Sequence, residues 1–280
     1  RAATTFARLS SWMEAHRGQP LFAFVHTSAA RAPYVPPRGY LDHFRDDRLE
    51  RPSELDEGAL VRYQRNLRYI DDVLKNFVEG IDGISKPAHT LLVLTSPHGE
   101  EFLEHGARGH GSHLFDESVR VPLMMRGLGI RPSRRYRETV GLIDIAPTIL
   151  SLVDIEVPDG MKGTALGHAL RASLPFSVPP RFSEARGGSE YPRGRAEGVD
   201  DKAKDRLPSY SISEDDHKVI VHTGGPHRVL EAYDLLSDPD ERIDLMVSAA
   251  PPPPWAEMLA GFLDDYLKGD KSDEPRTEGP

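Results

Sequence analysis

Residues 90–122 read TLLVLTSPHGEEFLEHGARGHGSHLFDESVRVP, and the change of character within this stretch decides how the rest of the chain is understood. It opens on a continuous apolar run, Leu91 to Leu94, too short for a helix and bounded by polar residues. Such a run predicts a fully buried strand. The chain then turns abruptly polar, and in open parallel sheets ligands sit just beyond the carboxyl ends of the strands. His98, Glu100, Glu101, Glu104, His105, His110 and His113 all follow that strand end within one loop.

Working outward, Leu21–Val25 and Val121–Met125 are further short apolar runs and predict strands. Between Ala2 and His16, Phe6, Leu9, Trp12 and Met13 recur at helical intervals and predict one amphipathic helix. A second, longer helix is predicted over Asp56–Gly80, where Leu60, Tyr63, Leu67, Ile70, Val73, Leu74 and Phe77 form the apolar stripe. Within it, Asp71 and Asp72 point about 100° apart, so one is exposed and one supports Lys75. Val140–Leu150 predicts a strand leading into a helix, with Asp144 as its cap and Pro147 in the first turn, where its missing N–H is harmless.

Several of these segments closely resemble one family. T-S-x-H-G-E at 95–100, then E-H-G, G-H-G and L-F-D-E-S-V-R-V-P-L, resemble the sulfatases of the alkaline phosphatase superfamily. So do the F-V-H-x-x-x-x-R-x-P-Y-x-P-P run from Phe24, the I-D-I-A-P-T-I-L run from Ile143, Gly160–Leu170 and the Y-D-L-x-x-D-P-x-E run from Tyr233. The resemblance spans about Phe6 to Leu267 and implies an α/β fold: a mostly parallel central sheet flanked by helices, alkaline phosphatase-like. A small C-terminal α+β antiparallel subdomain would follow it. The implied divisions are 1–172 for the partial α/β domain, 173–208 for a proline-bearing, Arg/Gly-rich and mobile linker, and 209–280 for the subdomain. In that subdomain Ser209–Ser213, Lys218–His222 and Arg228–Tyr233 form a meander, its turns at Glu214–Asp216 and Gly224–Gly225. Trp255–Leu267 is a final amphipathic helix, and the charged tail from Gly269 is expected to be disordered.

The same resemblance implies sulfate-ester hydrolysis, with calcium or magnesium in intact members, and it marks where this chain departs. His98 falls at a position that contacts the metal, but Pro97 replaces an aspartate ligand. Arg31 stands where the family has the histidine that helps protonate the leaving group. Arginine stays protonated, so it binds an anion but cannot act as a general acid. His110, or His113 after a one-residue shift, takes the place of a sulfate contact. His26, Arg31, Arg108 and His110 are therefore the candidate substrate-binding residues, and Arg31, His110 and His113 the catalytic remnants. The chain holds no C-x-P-x-R, the cysteine form of the family's nucleophile motif; the letters S-x-P-x-R occur once, at Ser177–Arg181 within the proline-bearing linker, and the chain begins at Arg1 on a helical pattern. The expectation is a chain that enters the domain part-way, carries no cofactor by itself and is catalytically incompetent alone.

Other readings of the same residues stand beside it. An upstream segment or a separate chain could complete a hydrolase of sulfate or phosphate monoesters. A non-catalytic module could hold sulfated or phosphorylated glycans through Arg31, Arg108, His110 and His113. For the histidine loop itself the choices are a zinc site built from Glu104, His105, His110 and His113, an anion-binding loop or a solvated loop.

Bulk composition bounds these choices. A net charge of -9 with no basic stripe argues against a nucleic-acid partner. No apolar run approaches the roughly 18 residues of a membrane span. With Cys 0 there is neither a disulfide framework nor a thiolate zinc site, and the compartment is left undecided.

Overall fold

A computed structural model of the chain describes residues 2–43, 57–185, 208–223, 229–249 and 251–270. The chain divides into two compact units, Arg1–Leu94 with Glu101–Gly109 and Leu123–Ile130, and Thr95–Glu100 with His110–Pro122 and Arg131–Pro280.

The first unit is organised by two helices, α1 (Ala2–Ala15) and α2 (Glu57–Ile84). They meet where Phe6 and Phe77 place their rings 5.0 Å apart, and the Tyr69 hydroxyl accepts the Ala3 N–H at 3.0 Å. Ala59, Asn66, Tyr69, Phe77 and Ile81 form the buried face of α2, while Leu67, expected on that face, is 42% exposed. Asp72 pairs with Arg68 one turn back rather than serving Lys75, at 3.0 Å. Three short strands follow, β1 (Leu92–Thr95), β2 (Glu101–Phe102) and β3 (Arg108–Gly109), and then β4 (Leu123–Arg126). β2 and β3 make an antiparallel hairpin with Glu101 opposite Gly109 and Phe102 opposite Arg108. Phe102 joins Tyr34 and Ala59 in a buried cluster, its ring 5.1 Å from Tyr63 and 5.7 Å from Tyr34.

The expected central sheet is represented among the described residues only by β1 paired with β4. β1 is half-buried rather than fully buried. Leu21–Val25 is not a strand, and Phe22 and Phe24 stand 79% and 84% exposed. An apolar run reports a tendency to be covered, but a strand also needs a neighbour to take its N–H and C=O groups. No described segment supplies that neighbour here.

The second unit contains α3 (Asp116–Val119), α4 (Ile145–Leu152) and α5 (Gly167–Ala172), then a sheet of β5 (Arg181–Ala185), β6 (Ser209–Glu214), β7 (His217–His222) and β8 (Val229–Asp234). It ends in α6 (Leu245–Ser248) and α7 (Pro254–Asp270). The sheet is antiparallel throughout, in the order β5-β6-β7-β8. The expected meander is present, and Arg181–Ala185, assigned to the linker on composition, adds a fourth strand at its edge. β6 and β7 join through a tight turn after the Glu214–His217 pair, with Asp215 in the left-handed region at φ 49°, as a two-residue hairpin of matching twist requires.

Alternation along the strands gives the sheet two apolar faces. Ile212, Val219, Val221 and Ala232 pack on Ala256, Leu259, Ala260 and Leu263 of α7. From the other face, Ile220, Tyr233 and Ala185 cluster with Leu114, Phe115 and Val119. Burying each large aliphatic side chain contributes about 1.5–3 kcal/mol, so this sheet is the strongest element of the unit.

Val140 forms no strand; a 3-10 turn at Leu142–Asp144 leads directly into α4. Asp144 does not cap α4. Its buried carboxylate accepts from Gly141 N–H at 2.8 Å and Thr164 N–H at 2.7 Å and pairs with Arg181 at 2.9 Å. Most of the segment expected to be mobile, the Gly224–Gly225 turn, Arg228 and the tail from residue 271 lie outside the described residues. Among the described residues no helix is long and apolar enough to cross a membrane.

Candidate functional site

The loop after β1 is pinned by a glycine. Gly99 donates its N–H to the Ser118 carbonyl at 2.8 Å, and a Cβ on Gly99 would lie 2.0 Å from the Glu117 carbonyl oxygen. No other residue permits that approach, which is the physical content of the H-G-E spacing. It holds residues 98–100 against α3 and so gathers a histidine cluster within the second unit.

His98 Nδ1 lies 2.8 Å from the Gly99 carbonyl. A carbonyl only accepts, so Nδ1 carries the proton and a neutral His98 presents Nε2 as its acceptor. Its ring stacks on His110 with centroids 3.9 Å apart and planes 16° from parallel. The other side of His110 faces the buried Glu100, Nδ1 to Oε1 at 3.6 Å. His113 Nε2 stands 3.4 Å from Glu117 Oε1. These side chains are largely buried, which removes the solvated-loop reading: His113 is 11% exposed and His110 18%.

His26 and Arg31 sit in the first unit. They line one cavity of about 400 Å³ with Thr27 and Ser28, Thr5 of α1, and Asn66 and Tyr69 of α2. Two consecutive turns shape the loop, Arg31 N–H to the Ser28 carbonyl at 3.0 Å and Tyr34 N–H to the Arg31 carbonyl at 3.1 Å. The buried Tyr34 anchors their far end against Tyr63 and Phe102. The Ala32-Pro33-Tyr34 run, expected as a rigid loop, is thus what aims residues 26–31. A guanidinium, an imidazole and several hydroxyls among the lining residues suit a compact oxyanion.

Arg108 is exposed on β3 and does not line that cavity. Asn66, Tyr69 and Thr5 were not anticipated. The available signal was a polar residue, Asn66, on the buried stripe of α2, where its Nδ2 donates back to the Arg62 carbonyl at 3.3 Å.

Among the described residues no three His, Cys, Asp or Glu side chains are placed to hold a metal ion, which leaves the zinc reading without support. His98 offers a single nitrogen, where calcium takes about six to eight oxygens and magnesium about six.

Residues 2–155 match the family described as Sulfatase, more than half of the chain. Arylsulfatase K of Xenopus laevis is 26% identical over 171 residues, covering 61% of this chain and 30% of its own length. Among solved structures, yidJ from Bacteroides fragilis superposes with a TM-score of 0.76 at 16% identity, over 95% of this chain and 57% of that one. BT4656, solved in complex with its substrate D-glucosamine-2-N,6-O-disulfate, gives 0.57 at 23% identity, over 81% of this chain and 45% of that one. The chain thus spans about 30% of the length of the curated relatives it matches.

Proposed function

This chain belongs to the sulfatase family, and from that premise we propose that the residues present bind a sulfate or phosphate ester without cleaving it. The carrying observation is that Arg31 and His26 share one cavity. Arg31 provides bidentate contacts to an oxyanion and a permanent positive charge. It cannot hand a proton to a departing alkoxide, because a useful general acid must lose its proton near the working pH. Pro97 contributes no side-chain oxygen to a cation, the chain contains no C-x-P-x-R, and its one S-x-P-x-R match, Ser177–Arg181, leads into β5 with its arginine committed to the buried Asp144 at 2.9 Å. The ligand class follows from the same groups: a sulfated or phosphorylated small molecule or glycan, with Thr27 and Ser28 available to hydroxyl or oxyanion oxygens.

A second reading is favoured by a different observation. Phe22 and Phe24 are 79% and 84% exposed, and β1 pairs among the described residues with β4 alone, so apolar side chains and a sheet edge are both left for further strands to cover. In this reading a preceding segment of the polypeptide completes the sheet and brings the nucleophile and the cation's carboxylates, giving a sulfate or phosphate monoester hydrolase.

The purified 280-residue chain, assayed with 4-methylumbelliferyl sulfate and phosphate in calcium buffer, tests the first reading, and the same assay on a polypeptide extended by its preceding segment tests the second, which expects turnover there. The binding reading expects no chelator-sensitive turnover, and saturable, salt-sensitive binding of a disulfated glucosamine that Arg31→Ala abolishes. Chelator-sensitive hydrolysis overturns it.

A further inference from the structure

Lys218 lies in the middle of β7 and is 1% exposed. Its neighbours on that face of the sheet are Ile220 and Tyr233, members of an apolar cluster, and Tyr233 is its cross-strand partner. An ammonium buried there is costly unless every donor finds an acceptor. Three do. Nζ lies 2.5 Å from Asp116 Oδ1, 2.8 Å from Glu241 Oε1 and 3.3 Å from the Leu114 carbonyl.

Glu241 closes the arrangement from the opposite side. Its second oxygen accepts the Asp116 N–H, so residues 114–116 are held by Lys218 and Glu241 together. Glu241 occupies the left-handed region at φ 51°, a conformation that costs a side-chain-bearing residue about 1–2 kcal/mol. The turn that imposes it is tied by Asp238, whose carboxylate takes the N–H groups of Arg242 and Ile243 at 3.1 and 2.8 Å. Such strain persists where surrounding contacts over-determine the backbone.

The anchored residues adjoin the histidine cluster. His113 precedes Leu114 directly, its ring lies 5.0 Å from Phe115, and Phe115 packs edge-on to Tyr233 at 5.7 Å. Ser118, two residues beyond Asp116, accepts the Gly99 N–H that fixes His98 against His110. We infer that Lys218, bridging Asp116, Glu241 and the Leu114 carbonyl, is a positioning residue that sets the pose of His110 and His113. Its functional weight rests on the reading that this fold binds an oxyanion; its positioning role does not.

Histidine-ring carbon–proton spectra of the full chain test it. In Lys218→Met, a side chain of similar length without charge, the His110 and His113 signals shift and the ring-current offset of the stacked His98–His110 pair is lost. Arg181→Met, which breaks another buried ion pair of the same unit, leaves those signals in place. If Lys218→Met does not fold, Asp116→Asn carries the same expectation, since it removes one of the two negative charges that pair with the ammonium. Wild-type histidine signals in both Lys218→Met and Asp116→Asn overturn the inference, as does an equal displacement by Arg181→Met. Titration with inorganic sulfate is read separately. Wild-type His110 and His113 signals that ignore sulfate count against an oxyanion role for these histidines and leave the positioning result standing. Where they respond, Lys218→Met weakens the response by about three- to ten-fold, the worth of roughly one net hydrogen bond.

Discussion

Gly99→Ala puts the packing of the histidine loop to a quantitative test. The added methyl would lie 2.0 Å from the Glu117 carbonyl oxygen and 2.9 Å from its carbon. Both are backbone atoms, so no rotamer change relieves the clash, and the two segments must separate by more than an ångström. The Gly99 N–H to Ser118 carbonyl bond, now 2.8 Å, does not survive that separation. Overpacking costs about 1–3 kcal/mol, and the lost hydrogen bond adds about 0.5–1.5 kcal/mol. Together these give a destabilisation of about 2–4 kcal/mol. With a urea slope of about 2 kcal/mol/M, the midpoint falls by about 1–2 M. The matched control is Gly80→Ala on α2, where a Cβ meets nothing within 4 Å. There, relief of glycine's helix penalty stabilises by about 0.5–1 kcal/mol. Urea unfolding followed by circular dichroism reads both variants. If Gly99→Ala unfolds within about 0.5 kcal/mol of wild type at unchanged slope, the close approach that organises the site is wrong.

Three further outcomes follow from the second unit. Burial holds the Glu241 carboxyl above its ordinary value of 4.5, against the opposing pull of Lys218, because one ammonium is shared with Asp116. A carboxyl raised on folding contributes fully below its unfolded value and loses that contribution as pH climbs through its folded one. Unfolding midpoints measured upward from pH 4.5 should therefore decline more steeply in wild type than in Glu241→Gln, and the reverse order would refute the assignment. Asp144→Ala strands the 12%-exposed Arg181 and two backbone N–H groups, so a loss of about 3–5 kcal/mol is expected in denaturant titrations; a loss under 1 would contradict it. Leu263→Ala leaves a cavity between α7 and the sheet and lowers stability by about 2–5 kcal/mol by the same measurement, while Phe262→Ala, at a 52%-exposed position on the same helix, changes little.

Legibility in the sequence followed distance along the chain. The apolar stripe of α2, the amphipathic pattern of α7 and the alternating strands β6 to β8 depend on neighbours a few residues away, so periodicity alone located them. The ordered motifs also identified the family before any coordinate was considered. What periodicity could not supply was a partner. Leu91–Leu94 and Leu21–Val25 look alike as apolar runs, yet only the first finds a strand beside it among the described residues. Within the candidate site, His26 and Arg31 were legible as one loop, and their meeting with Asn66 was not.

Lys218 marks the limit most clearly. In sequence it is a lysine in a strand, suited to an exposed face. In the structure its ammonium is buried against an aspartate 102 residues away and a carbonyl 104 residues away. Asp144 likewise passes from a local cap to the ligand of Thr164 and Arg181. The sequence by itself determined the family, the helices and the meander, because hydrophobic periodicity and hairpin turns are local. Tertiary structure alone decided which charges are buried and which backbones touch, because desolvation and steric contact depend on atoms that only folding brings together.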